Sequence, residues 1–119
     1  MKTNYIQIQT TFENAGDAKK MVSLMLDAKL VACGQVGEIE SLYNWDGKSC
    51  KNKEFLLTMK TRTELYENCE KFIKANHPYK VPQIIAVPIV NGSQDYLDWV
   101  CENTVGAGVP TARNKDAKE

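Results

Sequence analysis

The chain has one histidine in 119 residues, no net charge, and no apolar run longer than seven residues. Each shortage closes off a class of function. Its 15 Lys and Arg balance 15 Asp and Glu, so the basic footprint of a nucleic-acid binder is missing and no nucleic-acid partner is expected. The longest apolar run, residues 84–90, contains Pro88 and falls far short of the roughly 20 residues that cross a bilayer, so no membrane insertion is expected. Met1-Lys2-Thr3-Asn4 leads straight into a strand pattern without an apolar leader, which points to a cytoplasmic protein. Cys33, Cys50, Cys69 and Cys101 lack the close pairing of structural zinc ligands, and a reducing compartment disfavours disulfides. Cys69 and Cys101 sit at helical spacing beside apolar residues and read as small core thiols. With no glycine-rich phosphate loop and no nucleophile motif, acid-base machinery is not legible, and the chain is read as not an enzyme.

What is present is regular alternation. Tyr5-Ile6-Gln7-Ile8-Gln9-Thr10 has period two and predicts a strand with one buried face. Asn14 and Asp17 offer a helix start, and Ala18, Met21, Val22, Met25 and Leu26 form one apolar stripe that runs to about Lys29. An aromatic stretch, Leu42-Tyr43-Asn44-Trp45, ends at Asp46-Gly47, a dipeptide suited to a tight hairpin turn. The hairpin's strands are expected from near Val36 and over residues 54–60, long enough for part of it to overhang the core. Thr61 and Glu64 fit a capping box for a second helix carrying Leu65, Cys69, Phe72 and Ile73, which Asn76-His77-Pro78 stops. Residues 84–89 read as a fourth strand covered on both faces, with Pro88 marking an edge or a bulge. Residues 93–103 predict a short third helix, and residues 104–119, with Gly106, Gly108 and Pro110, read as a tail beyond a domain spanning 1–103.

The order is that of an α+β ferredoxin-like βαββαβ sandwich with a long hairpin and a short C-terminal helix. One sheet face is then left open, and large aromatics on the hairpin give it a reason to pair with other chains. A closed homo-oligomer, each hairpin extending a neighbour's sheet, is the simplest way to cover it.

Tyr43-Asn44-Trp45-Asp46-Gly47-Lys48, Met59-Lys60-Thr61, His77-Pro78-Tyr79-Lys80-Val81-Pro82 and Asp95-Tyr96-Leu97-Asp98-Trp99 stand in an order and spacing that resemble the CutA family, over about residues 5–103. The resemblance implies a ferredoxin-like subunit in a homotrimer interlocked through the hairpin, a role in divalent-cation tolerance with copper or another divalent metal as ligand, and no established catalytic activity. Cys33 matches a family cysteine, a possible metal-associated thiol. Where bacterial relatives place a cysteine at the end of the first strand this chain has Thr10; where they pair two histidines it has Asn76 and then His77; and Gln83 replaces a frequent carboxylate.

The candidate metal ligand is therefore His77, set against a plainer role as the cap that ends the second helix near its negative pole. Tyr43, Trp45 and Tyr79 are candidates for an inter-subunit cleft or interface, the aromatics of the hairpin reading first as interface anchors. Lys60, next to the expected helix start at Thr61, is a candidate anion contact or a solvated lysine. Beside weak divalent-metal binding stand two alternatives implied by resemblance: a regulatory trimer like the PII proteins, with a small ligand between subunits, or a structural anchoring partner.

Overall fold

The computed structural model describes residues 3–105. The elements run β1 (Tyr5–Phe12), α1 (Ala15–Asp27), β2 (Cys33–Trp45), β3 (Lys48–Arg62), a 3₁₀ turn (Thr63–Leu65), α2 (Tyr66–Asn76), β4 (Ile85–Pro88) and α3 (Gln94–Glu102). One four-stranded sheet has the order β2-β3-β1-β4, antiparallel throughout. With the first strand central and the second at an edge, this is the split βαβ arrangement that the element order predicts.

Period two decides which residues meet the helices. Ile6, Ile8, Thr10 and Phe12 of β1 and Leu57, Met59 and Thr61 of β3 are buried, and they pack with Met21, Met25, Leu65, Cys69 and Ile73 from the helical layer. Intervening residues, Gln7, Gln9, Thr58 and Lys60 among them, face the other side, where α3 lies. There the Tyr96 hydroxyl is 3.3 Å from the Cys33 sulfur. Arg62, at the end of β3, donates through Nε to Thr104 Oγ1 at 2.9 Å, while Val105 N–H donates to Lys29 O at 2.8 Å. Thr104 and Val105, expected to begin the tail, are thus fastened to the domain; residues 106–119 lie outside the described residues.

Local chemistry explains the helix and turn boundaries. Asn14 caps α1, its side-chain oxygen accepting from Asp17 N–H at 2.8 Å. Asp46 (φ 54°) and Gly47 (φ 74°) take the left-handed conformations of a two-residue hairpin turn. The expected capping box does not form. Thr61 remains in β3 and donates to Leu30 O at 2.6 Å, and Glu64 pairs with Arg62 at 2.6 Å, because the strand continues two residues beyond Lys60 and absorbs the box's first position.

The hairpin is longer than its alternation predicts. Its register runs from Cys33↔Lys60 to Trp45↔Lys48, whereas β1 leaves the sheet at Phe12↔Phe55. Every pair from Ile39↔Glu54 outward therefore projects past the core, roughly 20 Å at strand rise, which gives the molecule its 52 × 29 × 23 Å shape. β4 is the opposite edge. Its four residues are all exposed, so the expectation of cover on both faces fails, while the edge position that Pro88 marks is where the strand lies.

Candidate functional site

The overhanging hairpin and the segment after α2 line an open cleft of about 700 Å³. Three of the sequence candidates meet there: Tyr43, Trp45 and Tyr79 line it together with Glu13 and Glu54. Hairpin register explains the grouping. A two-residue turn pairs Trp45 with Lys48, and the ladder then pairs Tyr43 with Cys50 and Ile39 with Glu54, so Tyr43, Trp45 and Glu54 share one face. Leu42, Tyr43 and Trp45 are 70%, 40% and 54% exposed.

Tyr79 reaches that face from the loop. Its hydroxyl donates to Glu54 Oε2 at 2.7 Å, and its proton is held well above the ordinary phenol range, first by burial, then by the bond to Glu54 and the negative charges of Glu54 and Glu13. Tyr43 receives a hydrogen bond from Asn52 Nδ2.

His77 sets the loop's course. Its Nε2–H donates to the carbonyl of Thr11 at 2.9 Å, and its Nδ1 accepts from Tyr79 N–H at 3.1 Å. The ring stacks on Phe12, centroids 4.3 Å apart and planes 11° from parallel. These partners define a neutral tautomer with both ring nitrogens in use. Half-burial holds the imidazole's proton affinity below its ordinary value, against the opposing pull of the Thr11 carbonyl and the Asp17 and Glu54 charges.

Other candidates sit apart from the cleft. Lys60 lies on the open sheet face and donates to Gln35 Oε1; no helix starts beside it, so the expected backbone donors for an anion are not assembled there. Cys33, its cross-strand neighbour, meets Tyr96 instead of His77, and the Tyr96 hydroxyl is pushed up to about 12 by burial and by this thiol. Thr10 is fully buried and its hydroxyl has no hydrogen-bond partner. Among the described residues no three His, Cys, Asp or Glu side chains lie together as a metal site. Sequence reasoning passed over Glu54 and Glu13; counting outward from Asp46-Gly47 places Glu54 on the aromatic face without any coordinates.

The profile described as CutA1 divalent ion tolerance protein matches residues 6–103. The chain belongs to this family. CutA of Pyrococcus horikoshii, a divalent-cation tolerance protein, is 38% identical over 99 residues, covering 83% of this chain and 97% of the relative. The chloroplastic CutA of Arabidopsis thaliana is 41% identical over 100 residues, 83% of this chain. This chain spans 55% of that plant relative's length. Among solved structures, CutA1 from the psychrotrophic bacterium Shewanella sp. SIB1 superposes with a TM-score of 0.85 at 36% identity, covering 89% of this chain and 100% of the other. The CutA of Archaeoglobus fulgidus, 33% identical with a TM-score of 0.81 over 83% of this chain and 97% of that one, is described as periplasmic. CutA relatives therefore occupy more than one compartment.

Proposed function

We propose that the chain acts as a homotrimer in divalent-cation tolerance, that it binds copper(II) or another divalent metal weakly, and that it catalyses no reaction. Membership of the CutA1 family is the observation that carries the tolerance role. The trimer is supported by the two sheet edges, β2 and β4, that no strand among the described residues pairs, and by Leu42 and Trp45 on the projecting hairpin, which the described residues leave exposed.

The engaged state of His77 supports the reading of weak binding. To ligate a metal the imidazole must give up its bond to Thr11 or to Tyr79, a sacrifice of about 1 kcal/mol before any coordination begins. A complete ligand set then draws on water or a neighbouring subunit. A cytoplasmic location belongs to the same reading, supported by four cysteines that remain free thiols.

Calorimetric titration of the assembled protein with copper(II) is the test. The expected result is a shallow isotherm for the native chain and a weaker one for His77→Ala. Identical isotherms would take His77 out of the site, and no heat of binding in either would remove direct metal binding from the function.

A further inference from the structure

Between β4 and α3 the chain crosses residues 89–93 without regular structure. Both ends of the crossing are fixed. Ile89 N–H donates to Tyr5 O at 3.0 Å, and Ser93 caps α3, its Oγ accepting from Tyr96 N–H at 3.3 Å. Asn91 and Gly92 lie exposed between these anchors, and among the described residues neither the Asn91 side chain nor the Gly92 N–H makes a hydrogen bond. Asn91 is the only asparagine in the sequence that glycine follows. Asparagines elsewhere are held: Asn14 caps α1, Asn68 lies inside α2, and Asn76 and Asn103 donate to Phe72 O and Trp99 O at 2.9 Å. Inside a helix the following N–H is tied into the backbone ladder, which keeps it from the asparagine side chain.

We propose that Asn91-Gly92 is a site of spontaneous deamidation, at which Asn91 becomes an aspartyl or an isoaspartyl residue with water as the co-reactant. The Gly92 nitrogen attacks Asn91 Cγ and gives up its proton; a nitrogen to Cγ bond forms, the bond from Cγ to Nδ2 breaks, and ammonia leaves. One water then opens the cyclic imide. Opening at Cγ gives aspartate, and opening at the main-chain carbonyl gives isoaspartate; neither step oxidises or reduces any atom. Glycine favours ring closure because no side chain screens its nitrogen and its backbone turns freely. The step is intramolecular, so it draws on no docking surface and no metal. Each product adds a carboxylate to a chain whose formal net charge is zero. The isoaspartyl form also lengthens the main chain by a carbon between the two anchors. Gly92 packs closely on Leu97, whose side chain would stand 3.3 Å from a Cβ there, so the added length is taken up at the start of α3. Tyr96, in that first turn and 3.3 Å from the Cys33 sulfur, carries the change to the open sheet face.

The test is to age the full chain in its native assembly at neutral and at mildly alkaline pH, and to follow each asparagine by peptide mass mapping. The expected result is a gain of about 1 Da at Asn91, faster at the higher pH and faster than at Asn14, Asn68, Asn76 or Asn103. Gly92→Ala, which screens the attacking nitrogen, slows the gain about tenfold. Hydrogen exchange reads the consequence: the Tyr96 and Leu97 amides exchange faster in aged native chain than in fresh Asn91→Asp, which carries the same charge without the extra main-chain carbon. Asn91→Gln, whose longer side chain closes the ring poorly, ages without that change. A mass at Asn91 that stays fixed, a rate no greater than at the held asparagines, or a rate unchanged by Gly92→Ala would each overturn the modification site. Equal exchange in the aged chain and Asn91→Asp would overturn its effect on α3.

Discussion

His77 Nε2 donates to the Thr11 carbonyl at 2.9 Å at a point where β4 has already left the sheet, its last pair with β1 being Gln9↔Ile85. A side chain therefore finishes an edge that a strand leaves open. The same ring receives Tyr79 N–H and lies on Phe12, so one residue joins the end of β1, the end of α2 and the wall of the cleft. His77→Ala is expected to lower stability by about 1–3 kcal/mol, with two hydrogen bonds and a stacked ring lost together. Urea unfolding at neutral pH measures it; a change within experimental scatter would show the joint to be dispensable.

The joint also predicts a pH dependence. The folded-state proton affinity of His77 is lowered, chiefly by burial, so the unfolded chain binds the proton more readily. Stability from this group is complete above the unfolded value near 6.5 and is lost as pH falls through the lower folded value. Protonation also turns Nδ1 from acceptor to donor and breaks the bond from Tyr79. His77 is the only histidine, so the native chain should lose stability between pH 7.5 and 5 by more than His77→Gln does. Parallel curves for the two proteins would contradict the assigned tautomer.

Thr10 carries a buried hydroxyl without a partner on the face that packs against the helices. Thr10→Val replaces that hydroxyl with a methyl of nearly the same shape, and is expected to raise stability by about 1 kcal/mol. Thermal melting of the two proteins decides the matter. A loss of similar size would mean that the hydroxyl is satisfied in solution.

Gly34 allows α1 to sit close on β2. A Cβ at this position would collide with the Val22 side chain and crowd Leu57 and Met59. Gly34→Ala should cost about 1–3 kcal/mol, and the added Val22→Ala change should recover part of that loss by vacating the contested space. The double variant being less stable than the sum of the single changes would place the strain elsewhere.

Much of the fold could be read from residue patterns. Asn14 and Asp46-Gly47 act at short range, and both do in the structure what their local chemistry dictates. The second helix starts later than its capping pattern predicts because Thr61 and Glu64 satisfy a local rule while tertiary packing gives each another partner, Leu30 O and Arg62. For β4 the apolar composition pointed to cover on both faces and Pro88 to an edge or a bulge; the edge is what the sheet order gives, because proline has no N–H for a second neighbour. In the site, Tyr43 and Trp45 stood out as aromatics, while Glu54 did not, since its importance comes only from the strand opposite. His77 was legible as a helix end; its use of Thr11, 66 residues earlier in the chain, was not.

On the proposed function, other copies of the chain complete the projecting hairpin and the edges of β2 and β4, which no strand among the described residues pairs. Light scattering coupled to size exclusion at micromolar concentration tests it directly. The expected mass is about three times the 13.4 kDa of one chain, in keeping with closed cyclic assembly, and Trp45→Asp together with Leu42→Asp should reduce it. A stable, folded species of 13.4 kDa from the native chain would contradict the account.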